Sequence, residues 1–212
     1  RNMDHRFRTP RYEEEFAVSQ DHTTKDIVVA RPASAVLGDV QTRPAVGLTF
    51  DHMLSRVKFS FTNKFKDKNV TIKVKNVVLN NVIDVANAEI SAAGVATWKD
   101  TDANTKTTIK FQADTDVFEL AQNEVGTTVY RLFIPESVFV DVYTLTFDLE
   151  VLADGVTVLT KKYIVGGTGK TAPVGLKAYN YVNGNSYSFN ANISGSLLEE
   201  EIHPIEFDVD VT

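Results

Sequence analysis

The chain of 212 residues contains no cysteine. Disulfide cross-links, thiolate nucleophiles and cysteine-held zinc or iron–sulfur centres are therefore excluded. Tryptophan occurs once, and the four histidines (His5, His22, His52 and His203) include no pair at metal-ligand spacing. No apolar run approaches the ~20 residues of a membrane-spanning helix. A basic excess is missing too: 22 Lys and Arg face 28 Asp and Glu, for a net charge of −6. That balance argues against nucleic acid as a partner and against an anionic membrane surface. No signal peptide opens the chain, and Arg1-Asn2-Met3 is expected to be the start of a processed or truncated product. No capped helical period is sustained anywhere. The nearest, residues 78–90 (VLNNVIDVANAEI), is rich in Val and Asn, which disfavour helix.

What the chain has in quantity is period two. Val57, Phe59 and Phe61 alternate with Lys58, Ser60 and Thr62, and Val70, Ile72 and Val74 with Thr71 and Lys73. Ile109, Phe111 and Ala113 repeat the pattern, as do Tyr130, Leu132 and Ile134 up to Pro135. Leu145, Phe147, Leu149 and Val151 lead to Asp154-Gly155, a hairpin signal, and Val156 and Val158 return. Tyr187, Phe189, Ala191 and Ile193 form another run, and Ile205, Phe207, Val209 and Val211 the last. One apolar and one polar face per run is the pattern of antiparallel sheets solvated on one side. The expected fold is all-β: a two-sheet antiparallel β-sandwich of about ten strands, transthyretin-like or immunoglobulin-like. Residues 1–45 are expected to be an N-terminal arm or the remnant of a preceding β domain, with the sandwich domain over 46–212.

Motifs that carry chemistry fall short on inspection. VGGTGKT at 165–171 would need Gly at 164 for a phosphate loop, where Ile164 stands, and Pro173 and Gly175 deny the following helix. Asp100, Asp102 and Asn104 have calcium-loop spacing, but Thr105 and Phe111 occupy the positions that need Gly and Glu. His52 follows Asp51 without a serine elbow, so a hydrogen-bonded structural histidine is expected. The pairs Glu13–Glu15 and Glu199–Glu201 lie in charge runs of the solvated kind. Lys64, Lys66, Lys68, Lys73 and Lys75 read as charges that keep sheets from adhering. Tyr179, Tyr181 and Tyr187 read as packing and anchoring rings. No residue is assigned to catalysis, no cofactor or metal is expected, and the chain is read as a non-enzyme.

One segment carries more than composition. Leu48-Thr49-Phe50-Asp51-His52-Met53-Leu54-Ser55-Arg56-Val57-Lys58-Phe59 resembles the apolar-x-Phe-x-His-x-Leu-Ser/Ala-Lys/Arg-Val opening of fimbrillin-like (Fim/Mfa-type) proteins of Bacteroidales, the subunits of strand-exchange pili. Asp26-Ile27-Val28-Val29-Ala30 is similar to the family's upstream segment, and Leu132-Phe133-Ile134-Pro135-Glu136 to its Leu-x-Ile/Val-Pro-Gln strand end, with Glu for Gln. Asn183-Gly184-Asn185-Ser186-Tyr187-Ser188-Phe189 resembles its Gly-x-x-Tyr-x-Phe/Tyr strand, and Ile205–Val211 sits where the family has a late strand. The resemblance covers about 26–212. It marks Leu48, Phe50, His52, Leu54, Arg56, Val57, Pro135, Gly184 and Tyr187 as motif residues of structural type. Family members carry a lipoprotein signal and an N-terminal sandwich ahead of this region. The chain is thus expected to be mainly the C-terminal sandwich.

The resemblance implies a mechanism. A lipid-anchored precursor is exported, a protease cutting after Arg removes a strand, and the open groove receives a strand from a neighbouring subunit. Arg6, Arg8 and Arg11 are the candidate processing points, against the plainer reading of a basic terminus. Ile205, Phe207, Val209 and Val211 have the alternation of a donated strand, and equally that of a last strand closing its own sheet, which register favours. The function implied is a pilus subunit or tip protein in cell adhesion, at the outer membrane or cell surface. Its partners would be other fimbrial subunits and a host or bacterial receptor or glycan. The alternative is a carbohydrate-binding accessory domain of a surface glycan system, with Tyr179, Tyr181 or Trp98 as its platform.

Overall fold

The computed structural model describes residues 12–17, 26–32, 47–91, 95–98, 105–135, 144–166, 182–197 and 201–212. Two sheets pack face to face as a β-sandwich. The first is organised around β5 (Val70–Ile90). One edge of β5 pairs with β11 (Thr144–Ala153), which continues to β12 (Val156–Gly166), and farther along with β1 (Tyr12–Ala17). The other edge pairs in turn with β8 (Val117–Leu120), β7 (Thr105–Lys110) and β6 (Ala96–Trp98). The second sheet places β4 (Ser55–Asn63) between β13 (Ser186–Ile193) and the pair β9 (Val125–Thr127) and β10 (Arg131–Phe133). Beyond β13 lies β16 (Phe207–Val211). Two hairpins stand apart, β2 (Val28–Pro32) with β3 (Leu48–His52), and β14 (Gly195–Ser196) with β15 (Glu201–Ile202).

Among the described residues pairing is antiparallel except between β4 and β13, which run parallel over eight residues. The long intervening chain permits this, since parallel neighbours need a crossover that a tight turn cannot supply. The Asp154-Gly155 turn between β11 and β12 has positive φ at both residues, the geometry that matches strand twist. Residues 78–90 form strand, not helix, as their composition requires.

Val57, Phe59 and Phe61 from β4 and Tyr187, Phe189 and Ala191 from β13 meet Ile72, Val74, Leu145, Phe147 and Leu149 from the facing sheet. The Phe59 ring lies 4.8 Å from Phe111 edge-on and 5.4 Å from Phe189, stacked. The far half of β5 bends over two smaller clusters, one of Leu54, Ile83, Ala86 and Ile134, the other of Val29, Met53 and Ala88. Asn76 and Asn81, both at positive φ, stand at register shifts in β5, where an extra residue turns the strand. Asn tolerates this conformation better than the Val and Ile around it.

Candidate functional site

The two best motifs of the sequence, 130 residues apart, meet at one end of the second sheet. The Gly184 N–H donates to the Leu54 carbonyl at 2.9 Å, and the Arg56 N–H to the Asn185 carbonyl at 3.1 Å. Ser55 Oγ donates to the Val182 carbonyl at 2.6 Å, and the buried Tyr187 hydroxyl accepts from the Val182 N–H at 2.8 Å. Leu54, Val57 and Pro135 are buried, whereas Leu48 and Phe50 on β3 are exposed. His52 is exposed and hydrogen-bonds Asp26, which ties β3 to the residue preceding Ile27. Gly184 has φ +80°, and a Cβ there would lie 3.7 Å from that of His52. The space is adequate, so the backbone sets the penalty. Gly184→Ala is expected to lower stability by about 1–2 kcal/mol, the cost of a left-handed residue, read as a lower urea midpoint at constant slope.

A second feature lies along one flank. β12 ends the first sheet and β16 the second, on the same side of the sandwich, and among the described residues neither has a partner on its outer edge. Between them Leu159, Tyr163, Leu197, Ile202, Ile205 and Val209 pack against the core yet stay partly exposed. A cavity of about 110 Å³ opens there, lined by Phe65, Val151, Val158, Leu159, Leu197 and Ile202 among others. The Tyr163 ring stacks on Phe147 at 5.3 Å. Its hydroxyl is buried with no hydrogen-bond partner among the described residues, and burial raises its pKa. Of the late run, Phe207 is buried, Val209 half-buried and Val211 exposed. In this chain β16 pairs with β13. Ile205 precedes the strand.

A third feature was not anticipated. On the solvent face of the second sheet, Arg56 Cζ lies 4.6 Å and Lys58 Nζ 4.7 Å from the centre of the Tyr130 ring. Arg56 Nε donates to Ser186 Oγ at 3.1 Å, and the Tyr130 hydroxyl is 3.5 Å from Ser188 Oγ. Hydrogen bonding from Ser186 and Ser188, with the Lys58 ammonium beside it, lowers the phenol to about 8. Nothing in local spacing flags this group, because it joins two strands and a connection remote in sequence.

The remaining candidates are less organised. Of the lysine patch, Lys73 pairs with Glu119 at 3.3 Å and Lys75 with Glu150. Trp98 is half-buried, its indole N–H donating to the Met53 carbonyl at 2.8 Å, so the ring is engaged in packing. Arg6, Arg8, Arg11, His5, His22, Tyr179, Tyr181, Glu199 and the segment Asp100–Asn104 lie outside the described residues, as does most of VGGTGKT. Among the described residues, no three His, Asp or Glu gather as metal ligands.

The fimbrillin-like family model matches residues 6–209, and the chain belongs to that family. Among solved structures it is similar to a candidate cell adhesion protein from Bacteroides uniformis, at 15% identity and TM-score 0.49, with 96% of this chain and 67% of that one covered. A second such protein, from Parabacteroides distasonis, gives 10% identity and TM-score 0.45, covering 77% and 52%. The fimbrial anchor protein Mfa2 from Porphyromonas gingivalis gives 10% and TM-score 0.30, covering 89% and 58%. The chain thus spans between about half and two thirds of the length of these structures. No curated protein matches it.

Proposed function

We propose that the chain is a subunit or tip component of a surface fimbria, acting in cell adhesion, and that it joins its neighbours by β-strand exchange. The observation that carries this reading is the flank between β12 and β16. Among the described residues it combines two strand edges without an outer neighbour, a row of half-buried apolar side chains and a buried phenol without a hydrogen-bond partner. An extended segment with period-two alternation would pair its backbone with an edge and place alternate side chains over Leu159 and Tyr163. Membership of the fimbrillin-like family supports the same reading. In it the precursor is exported and lipid-anchored, and the mature chain works at the outer-membrane surface.

The test is capture of a strand. A peptide spanning residues 203–212, and terminal-strand peptides of other subunits, are added while thermal stability and oligomer size are followed. Binding at a hundredfold excess over Kd is expected to add about 2.7 kcal/mol, and Leu159→Glu is expected to abolish the gain. If no peptide shifts the melting of the unmodified chain, the flank is not an acceptor and the reading fails.

A further inference from the structure

The Tyr130 cluster occupies the solvent face of the second sheet, away from the flank just described. Arg56 and Lys58 alternate with Val57 and Phe59, whose side chains are buried, so both cations stand on the outer surface of β4. Among the described residues neither forms an ion pair, unlike Lys73, Lys75 and Lys110. Both lie against one aromatic ring, which limits their movement without neutralising them. Beside them on β13 come Ser186 and Ser188, then Asn190. One strand farther are Asp208 and Asp210, paired in register with Asn190 and Ser188. Asn190 Nδ2 donates to Asp210 Oδ2 at 2.9 Å. The face therefore grades from cations through hydroxyls and an amide to carboxylates, across three strands spaced about 4.8 Å apart.

We propose that this face binds an acidic saccharide, its carboxylate or sulfate held by Arg56 and Lys58 and its hydroxyls by Ser188, Asn190 and Asp210. An anion suits the site because neither cation has a counter-charge among the described residues, and guanidinium with ammonium fits a planar or tetrahedral oxyanion. A saccharide fits better than an acidic peptide. Extended peptides gain affinity from backbone pairing at a sheet edge, and the middle of a sheet face offers only side chains. The carboxylates of Asp208 and Asp210 would repel a uniformly acidic peptide while accepting hydrogen bonds from sugar hydroxyls. A neutral sugar is disfavoured because the ring it would stack on is already covered by cations. The inference is independent of strand exchange and names the kind of receptor an adhesive subunit would meet.

The experiment titrates the chain with heparin-derived oligosaccharides (sulfate), oligogalacturonate (carboxylate), dextran oligosaccharides (neutral) and oligoglutamate, at low and moderate salt. Binding of one or both acidic saccharides is expected, with at least a tenfold loss in the Arg56→Gln/Lys58→Gln double variant, measured at a temperature where that variant is shown by its melting curve to be folded. Affinity is expected to fall as pH rises through about 8, where Tyr130 ionises and adds a negative charge beside the cations. The bound saccharide should conversely move the near-ultraviolet titration of Tyr130 upward, and Tyr130→Phe should flatten the pH dependence. A sulfate-only or carboxylate-only response identifies the acid group. The proposal is overturned if no acidic saccharide binds, if dextran or oligoglutamate binds as well, or if the double variant binds undiminished.

Discussion

Phe59→Ala is expected to destabilise the chain by about 3–5 kcal/mol, the range for removing a buried aromatic ring. Phe59 is fully buried in the middle of β4. Its ring meets Phe111 at 4.8 Å, Phe189 at 5.4 Å and Phe207 at 6.1 Å, so one side chain touches β13, β16 and the segment leaving β7. Edge-on and offset pairs of this kind add stabilisation beyond area burial. Neighbours on three elements cannot all relax into the space, because each is fixed by its own ladder. The check is chemical denaturation: the midpoint should fall while the slope stays constant. Phe59→Leu, which refills much of the volume, should lose clearly less. A loss under about 1 kcal/mol for the alanine variant would mean that the core collapses around the gap.

Asn63→Leu is expected to cost about 3 kcal/mol or more, although leucine nearly matches asparagine in size. Asn63 is fully buried at the end of β4. Its Nδ2 donates to the Val70 and Leu120 carbonyls, both at 2.9 Å, and its Oδ1 accepts from the Phe65 N–H at 3.0 Å. One amide thereby links the second sheet to β5 and β8 of the first. Leucine leaves three backbone groups unsatisfied in the interior, each a penalty of about 1–3 kcal/mol. Asn63→Asp separates hydrogen bonding from packing. It keeps the shape, removes the donor and sets a carboxylate against two carbonyls, so it should be at least as damaging. Denaturant midpoints of the three proteins decide the matter. Equal stability of the Leu variant and the original would show that water satisfies these groups.

The strands that carry the core were legible because their chemistry is local. Val57-Lys58-Phe59-Ser60-Phe61 and Leu145–Val151 alternate without interruption. Burial follows the alternation residue by residue over Leu145–Val151, and over Val57–Phe61 it departs from it only at Ser60, which is buried too. β5 was legible only in pieces. Its 21 residues read as one strand followed by an ambiguous stretch, because the asparagines that break the alternation at 76 and 81 are the bulges that bend it. Partner choice was not legible: nothing in Ser186–Ile193 says that it runs parallel to β4. The likeness between residues 48–59 and 183–189 and one family pointed to both motifs, but only the fold shows their backbones hydrogen-bonded to each other. Tyr130 was read as one more apolar position in an alternating run. Its neighbours Arg56, Lys58, Ser186 and Ser188 come from strands remote in sequence, and period two reports a face without reporting what lies across it.

The parallel pair has a mechanical meaning. In an antiparallel hairpin the two chain ends leave from the same end, and tension opens the ladder one rung at a time. In β4 and β13 the chain enters at Ser55 and leaves at Ile193, at opposite ends of eight paired residues. Tension between those points loads every rung together, in shear. β16, antiparallel to β13, pairs Val211 with Tyr187 and can be peeled from that end. A pulled molecule would therefore give up its last strand at low force and then hold at the β4–β13 clamp, a yielding element in series with a stiff one.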